Sequence, residues 1–180
     1  MDAPVLACGP CVLRPWRRED LDSLVRHADN PNVARGLRDR FPNPYTRADA
    51  EWFLDDVQKP HGEWRLAIEV DGAAVGGVGV RPGEDVHRIS AEIGYWLGEA
   101  YWGRGIAPAM LTTVVPYAMR HFELCRVSAG VYHDNPRSMR ALEKAGFERE
   151  GMLRCAAIKH GQLLDLVIYS RVRRSLEDSP

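Results

Sequence analysis
An α/β domain built on a mixed sheet is the fold class that this sequence predicts, and three observations predict it. Stretches alternating apolar and polar residues run from Trp64 to Leu97 with a tight-turn dipeptide between them, which reads as an antiparallel meander. Further strand-like stretches are separated by segments with apolar residues at i, i+3, i+4 spacing, and helices that cross between strands require some parallel pairing. The 180 residues can bury a core without disulfide or metal staples, and no repeat or low-complexity tract divides them, so residues 1–180 are expected to form one domain.

Val12 to Arg14 reads as a short strand, and Leu21, Leu24, Val25 and Ala28 then recur on one helical face. Asn30 to Tyr45 has loop chemistry, with Asn30-Pro31-Asn32 and Phe41-Pro42-Asn43-Pro44 as turn signals. Thr46 with Asp49 three residues later resembles a capping box, opening a helix with Ala50, Phe53, Leu54 and Val57 inward. Trp64, Leu66, Ile68 and Val70 alternate as a strand does, Asp71-Gly72 suits a hairpin turn, and Val75 to Val80 returns. A third strand covers Ile89 to Leu97, with Ile89, Ala91, Ile93, Tyr95 and Leu97 on one face and Ser90, Glu92, Gly94 and Trp96 on the other.

The turn Tyr101 to Ala107 leads into a helix through Met110, Leu111, Val114, Ala118 and Phe122, in which Pro116 is expected to introduce a kink. Arg126 to Val131 is a strand, and Asn135-Pro136 opens a helix with Asn as cap and Pro in its first position, ending at Gly146. Phe147 to Ile158 and Leu163 to Val172, joined at His160-Gly161, close the chain as antiparallel strands. The sum is about seven strands and about four helices.

Composition narrows the function classes. With 24 Lys+Arg against 25 Asp+Glu, no electrostatic field for nucleic acid is expected. No apolar run approaches the ~20 residues that span a bilayer, and no basic segment followed by an apolar one opens the chain, so a cytoplasmic protein is expected. Cys8-Gly9-Pro10-Cys11 has the spacing of a redox dithiol. Val12-Leu13-Arg14-Pro15 follows it, however, where such a dithiol needs a helix N-terminus to depress the thiol pKa. No second Cys pair or spaced His pair completes a zinc site, and no metal is expected.

The chemistry concentrates between Glu92 and Phe122. Glycines at 103 and 105 precede a helix whose first N–H groups lack internal partners, so backbone donors can converge on an anion there. No Gly-Lys-Ser/Thr follows, which excludes a Walker A loop, and Pro108 stands where the third glycine of a dinucleotide fingerprint belongs. Pro108 falls in the first helical turn, where its missing N–H does no harm.

Six segments together resemble the GNAT N-acetyltransferases, in the RimJ/RimL-like branch that acetylates ribosomal-protein N-termini. They are Leu13-Arg14-Pro15 with Glu19-Asp20-Leu21, Pro44-Tyr45-Thr46 with Ala50, Glu92 to Leu97, Trp102 to Ala107, Asn135 to Ser138, and Leu142 to Phe147. Gly105 and Ala107 match the Gln/Arg-x-x-Gly-x-Gly/Ala signature, while Trp102 stands where Gln or Arg is usual and looks typical of the RimJ/RimL-like branch. The resemblance implies a mixed, mostly antiparallel twisted sheet with two strands splayed at the cofactor site, and acetyl-CoA as acyl donor. It implies that Gly103, Arg104, Gly105, Ile106, Ala107 and Pro108 wrap the pyrophosphate. The backbone of Tyr95, Trp96 and Leu97 would bind the pantetheine arm, with Tyr95 or Trp96 as oxyanion donor, and Asn135 would touch the same arm. Homodimers are common in the family.

Direct attack on a thioester needs a neutral amine, a donor for the oxyanion and a proton for the departing thiolate. Glu92 is the candidate base, against a solvated carboxylate on a sheet face; His133, at a strand end near the same mouth, is a weaker one. Some members of the family place a tyrosine proton donor seven residues after the helix-opening asparagine, but that position is Leu142 here. The RimL-like pattern points to Ser138, which as a first-turn serine could equally bond the backbone. Arg35, Arg38 and Arg40 lie in a segment that by resemblance borders the acceptor groove, where they could grip carboxylates or remain solvated. Deprotonating an α-amine at pH 7 costs about 1 kcal/mol and a lysine about 4.6 kcal/mol, which favours a protein or peptide N-terminus as acceptor. A small amine, a longer donor such as succinyl-CoA, and a CoA-binding sensor without turnover are the alternatives.

Overall fold
The computed structural model describes residues 3–174. They form β1 (Leu6–Ala7), β2 (Val12–Pro15), α1 (Leu21–Ala28), α2 (Pro31–Arg35), α3 (Arg47–Asp56), β3 (Trp64–Val70), β4 (Ala73–Pro82), β5 (Ser90–Leu97), α4 (Ile106–His121), β6 (Arg126–Tyr132), α5 (Pro136–Lys144), β7 (Glu148–Lys159) and β8 (Gln162–Val172). The strands make one sheet in the order β1-β2-β3-β4-β5-β6-β8-β7. Only β5 and β6 pair in parallel, joined by α4 as a crossover; every other pair is antiparallel. This is the mixed, mostly antiparallel α/β sheet that the sequence predicts.

Local chemistry accounts for the boundaries. At Asp71-Gly72 both residues adopt positive φ, 51° and 80°, as the β3–β4 hairpin turn requires, and His160-Gly161 repeats the arrangement at 49° and 76°. The Thr46 side chain accepts from the Asp49 N–H while Asp49 accepts from the Thr46 N–H, so α3 opens on a complete capping box. Two elements exceed the expectation. The two-residue β1 pairs with β2 through the Cys8–Cys11 turn, and α2 lies inside the stretch read as loop. Asn30 caps α2 by accepting from Asn32 and Val33, with Pro31 next to it. At five residues α2 is too short to display a helical period, and Asn-Pro reads as a turn. Pro116 does not end α4: the carbonyl its missing N–H would have bonded belongs to the exposed Thr112, where water can serve it.

Both faces of the sheet are covered. One carries α1 and α3 over Trp16, Leu24, Ala50, Leu54 and Ala67, with Trp96 against them. The other carries α4 and α5, whose Met110, Leu111, Val114 and Leu142 pack on Leu66, Ile93, Val127 and Tyr169. Strand alternation therefore turns Tyr95 and Trp96 to opposite layers. Cys8 and Cys11 are buried at the α4 side, and the Cys8 thiol is lowered to about 7, first by its hydrogen bond with Cys11. They occupy a hairpin turn rather than a helix start.

Arg14 is buried on β2. Its guanidinium donates twice to Asp20, at 2.7 Å each, and once to Glu69 on β3, tying the first strand, the entry to α1 and the meander. Removing one partner of a buried ion pair strands the other charge. Asp20→Ala is expected to lower unfolding stability by about 3 kcal/mol in guanidinium titrations, with the m-value unchanged.

Candidate active site
The β5–β6 pairing stops early. Its rungs are Ser90–Arg126, Ala91–Val127 and Glu92–Ser128, although β5 continues to Leu97 and β6 to Tyr132. The other edge of β5 stays paired with β4 from Ala91 to Leu97, and β6 stays paired with β8 from Arg126 to Tyr132. Each strand follows its own hairpin, so a gap opens between them.

Register decides which backbone groups face the gap. The N–H of Gly98 donates to Val75 and that of Gly83 to Ser90, so even-numbered residues of β5 direct their backbone bonds to β4. Ile89 accepts from Cys125 and Arg126, which puts the odd-numbered residues on the β6 side. Ile93, Tyr95 and Leu97 therefore turn their N–H and C=O groups into the gap. Of the three residues expected to contact a pantetheine arm, Tyr95 and Leu97 are so oriented; the Trp96 backbone faces β4. The Leu97 carbonyl accepts from the Trp102 indole at 2.7 Å. That bond explains an aromatic residue at position 102.

A cleft of about 1690 Å³ runs along the gap. At one end Gly103 and Gly105 both have φ 76°, a conformation that side chains with a Cβ rarely adopt. Gly105 forms the N-cap of α4 without a side-chain bond, leaving the first helical N–H groups directed outward. Ile106, Ala107 and Pro108 follow along the cleft wall, while the Arg104 side chain turns aside onto the Tyr101 ring. Beside this turn Arg137 stacks over Trp102, 4.8 Å from the ring centroid, giving the nest a guanidinium that sequence reading missed. Asn30 and Asn32 donate to Glu99 and hold its carboxyl below the usual range, which docks α2 against the same turn.

Across the gap stands the first turn of α5. Asn135 caps it by accepting from the Ser138 N–H at 3.2 Å, and the Ser138 hydroxyl meets the Tyr95 phenol at 2.9 Å. Burial raises the Tyr95 pKa and the serine contact lowers it in part. Leu142 is fully buried under α5 and points away from the cleft.

The other end is lined by Trp16, Phe41, Tyr45, Trp52 and Trp96, with arginines at its rim. Glu92 is held between two of them: Oε1 accepts from Arg38 at 2.7 Å and Oε2 from Arg81 at 2.5 Å. Arg35 pairs with Asp134 at 2.7 Å, and Arg40 lines the cleft with no ion-pair partner among the described residues. His133 is not part of the wall. Its Nδ1 accepts from the Asp165 N–H at 3.1 Å on the β8 side. Among the described residues no helix is long and apolar enough to cross a membrane, and no group of three or more His, Cys, Asp or Glu side chains could hold a metal ion.

Comparison with known proteins agrees with this geometry. Residues 11–148 match the model of the acetyltransferase (GNAT) domain. The uncharacterized N-acetyltransferase YoaA of Bacillus subtilis (strain 168) is 29% identical over 94% of this chain and 97% of its own length. The ribosomal-protein-serine acetyltransferase of Escherichia coli (strain K12) is 34% identical over 46% of each chain. The solved structure of Mycobacterium smegmatis RimJ in complex with CoA-disulfide shares the fold at a TM-score of 0.81 and 24% identity, over 98% of this chain and 89% of that one.

The nest at Gly103 to Pro108 generates a direct test with CoA as the probe. Gly105→Glu forces a side chain onto a positive-φ residue and sets a carboxylate where the outward-directed helical N–H groups would receive an anion. Calorimetry is expected to show CoA binding lost with the fold retained by circular dichroism; unchanged affinity would move the anion site elsewhere.

Proposed function
The chain belongs to the GNAT acetyltransferase family, and from that premise we propose that it transfers the acetyl group of acetyl-CoA to a protein or peptide N-terminal α-amine. One observation carries the reading: a strand gap with backbone donors facing in, an anion nest at one end and an aromatic, arginine-rimmed pocket at the other. The pyrophosphate binds Gly103 to Pro108 with Arg137 beside it. The pantetheine arm lies along Tyr95 and Leu97, with Asn135 opposite, and the thioester reaches the middle of the gap.

Transfer proceeds by direct attack. The amine nitrogen bonds to the thioester carbonyl carbon, and the oxyanion accepts from the Tyr95 N–H, whose direction favours it over that of Trp96. The C–S bond then breaks with its electron pair going to sulfur. Ser138 gives its hydroxyl proton to the sulfur and regains one from water, while the proton of the former amine leaves through Glu92 or water. Glu92 reaches the gap from the α1–α3 layer and Ser138 from the α4–α5 layer, so base and acid approach from opposite faces.

The arginines support an acceptor carrying anionic groups. Arg40 lines the cleft with no ion-pair partner among the described residues, and Arg35, Arg38 and Arg81, paired with Asp134 and Glu92 at partly exposed positions, offer further guanidinium groups to carboxylates of a peptide. The E. coli relative named for acetylating a ribosomal protein at serine points the same way. Small-amine acceptors, succinyl-CoA as donor and a CoA sensor are separated from this reading by one assay. Thiol release is measured with peptides bearing N-terminal serine or alanine, with small amines, and with either acyl-CoA. Binding without release in every case would make the protein a sensor.

The double arginine contact gives Glu92 two distinguishable roles. As base, Glu92→Gln is expected to lower kcat/KM by roughly 10²-fold near neutral pH, with partial recovery as rising pH deprotonates the amine unaided. A near-normal rate with an unchanged pH profile would leave Glu92 as the anchor of Arg38 and Arg81.

A further inference from the structure
The side chain of Tyr95 has a task that its backbone does not explain. Its phenol crosses from β5 to the first turn of α5 and faces two oxygens of one residue, Ser138 Oγ at 2.9 Å and the Ser138 carbonyl at 3.4 Å. The phenol carries a single proton, and Oγ is the nearer of the two oxygens that can accept it, the carbonyl beside it being an acceptor only. Burial raises the Tyr95 pKa, so the phenol holds that proton.

Ser138 is thereby held from two sides. Its N–H donates to Asn135 Oδ1, and its Oγ lies 2.9 Å from the Tyr95 phenol, placed to accept the phenol proton. Among the described residues its hydroxyl has no other hydrogen-bond partner, and Ser138 lines the cleft. With a lone pair of Oγ occupied by the phenol, the serine proton is excluded from that side and turns toward open cleft. No other hydroxyl is available from α5 at the expected place, since Leu142 is sealed in the core.

We propose that Tyr95 is a positioning residue for acetyl transfer, its phenol fixing the Ser138 hydroxyl so that the serine proton meets the sulfur as the C–S bond breaks. This rests on the reading of Ser138 as the group that serves the thiolate. The Tyr95 proton stays on Tyr95 throughout. The sulfur takes the Ser138 proton and water replaces it.

Three variants of the full chain test this: Tyr95→Phe, which keeps the ring and its packing, Ser138→Ala, and the double variant. Transfer from acetyl-CoA is followed with peptides bearing N-terminal serine or alanine. Ser138→Ala is expected to lower kcat about 100-fold and Tyr95→Phe about tenfold, each with acetyl-CoA KM within about twofold of wild type, and the double variant is expected to be no slower than Ser138→Ala. The second readout titrates the thiol of bound CoA by its thiolate absorbance. A serine proton aimed at sulfur stabilises the thiolate, so the bound thiol pKa is expected to rise in Tyr95→Phe and in Ser138→Ala, with no further rise in the double variant. This titration needs no acceptor and decides alone if neither peptide is acetylated.

Tyr95→Phe at wild-type kcat and thiol pKa, with Ser138→Ala impaired, would overturn the role of Tyr95 and leave that of Ser138. Ser138→Ala at wild-type values would remove both. Losses that multiply in the double variant would mean that Tyr95 acts independently of Ser138, which also overturns the proposal.

Discussion
The parting of β5 from β6 is the constraint on which the rest of the molecule depends. Parallel partners normally satisfy each other's N–H and C=O groups along their whole length. Here three rungs form and the strands separate, because β5 is tied to β4 over Ala91 to Leu97 and β6 to β8 over Arg126 to Tyr132. The Ile93 carbonyl, the N–H and C=O of Tyr95 and the Leu97 N–H are left facing the gap. A strand edge in the middle of a sheet is a liability unless something occupies it, and an extended ligand arm with amide groups is the natural occupant.

The two layers over the sheet then supply different chemistry to one gap. Alternation along β5 sends Glu92 and Trp96 toward α1 and α3, and Tyr95 toward α4 and α5. The aromatic and arginine-rich pocket therefore belongs to one layer, and the glycine nest with the α5 cap to the other. Neighbouring elements fix this division. The Trp102 indole satisfies the Leu97 carbonyl at the point where the strand ends, and its ring supports Arg137. Asn30 and Asn32 hold Glu99, so the short α2 is docked on the turn that precedes the nest. Lys159 donates to the Leu37 carbonyl at 2.5 Å, fastening the segment that carries Arg38.

Electrostatics in the gap is a matter of pairing rather than net charge. Glu92 is matched by Arg38 and Arg81, and Arg35 by Asp134, all partly exposed. Exposed pairs of this kind contribute little to stability, about 0–1 kcal/mol each, so their exchange for contacts with an incoming acceptor costs little. The buried Arg14 pairs with Asp20 and Glu69 and is structural by contrast, far too costly to break for a ligand.

The strands, most helices and the glycine turn before α4 were legible in the sequence, because those follow from local chemistry. Alternation placed β3, β4 and β5; Asp71-Gly72 set the β3–β4 hairpin and His160-Gly161 that of β7 and β8; Thr46, Asn135 and Pro136 opened helices; Gly103 and Gly105 marked a turn that needs positive φ. Family resemblance then added acetyl-CoA as the expected donor and Ser138 as the candidate proton donor, while Glu92 was the candidate base from its place on the same strand. The remaining features depend on residues far apart in the chain and emerge on folding. Parity along β5 turns the Tyr95 backbone into the gap and that of Trp96 away from it, and no single strand carries that information. The clamp on Glu92 joins positions 38, 81 and 92, and the bond between Tyr95 and Ser138 joins two walls 43 residues apart. Removal of His133 from the cleft follows from its pairing with Asp165 across the β6–β8 ladder. Side-chain periodicity reports which face a residue occupies, but partners are chosen by how the sheet twists and where its strands separate.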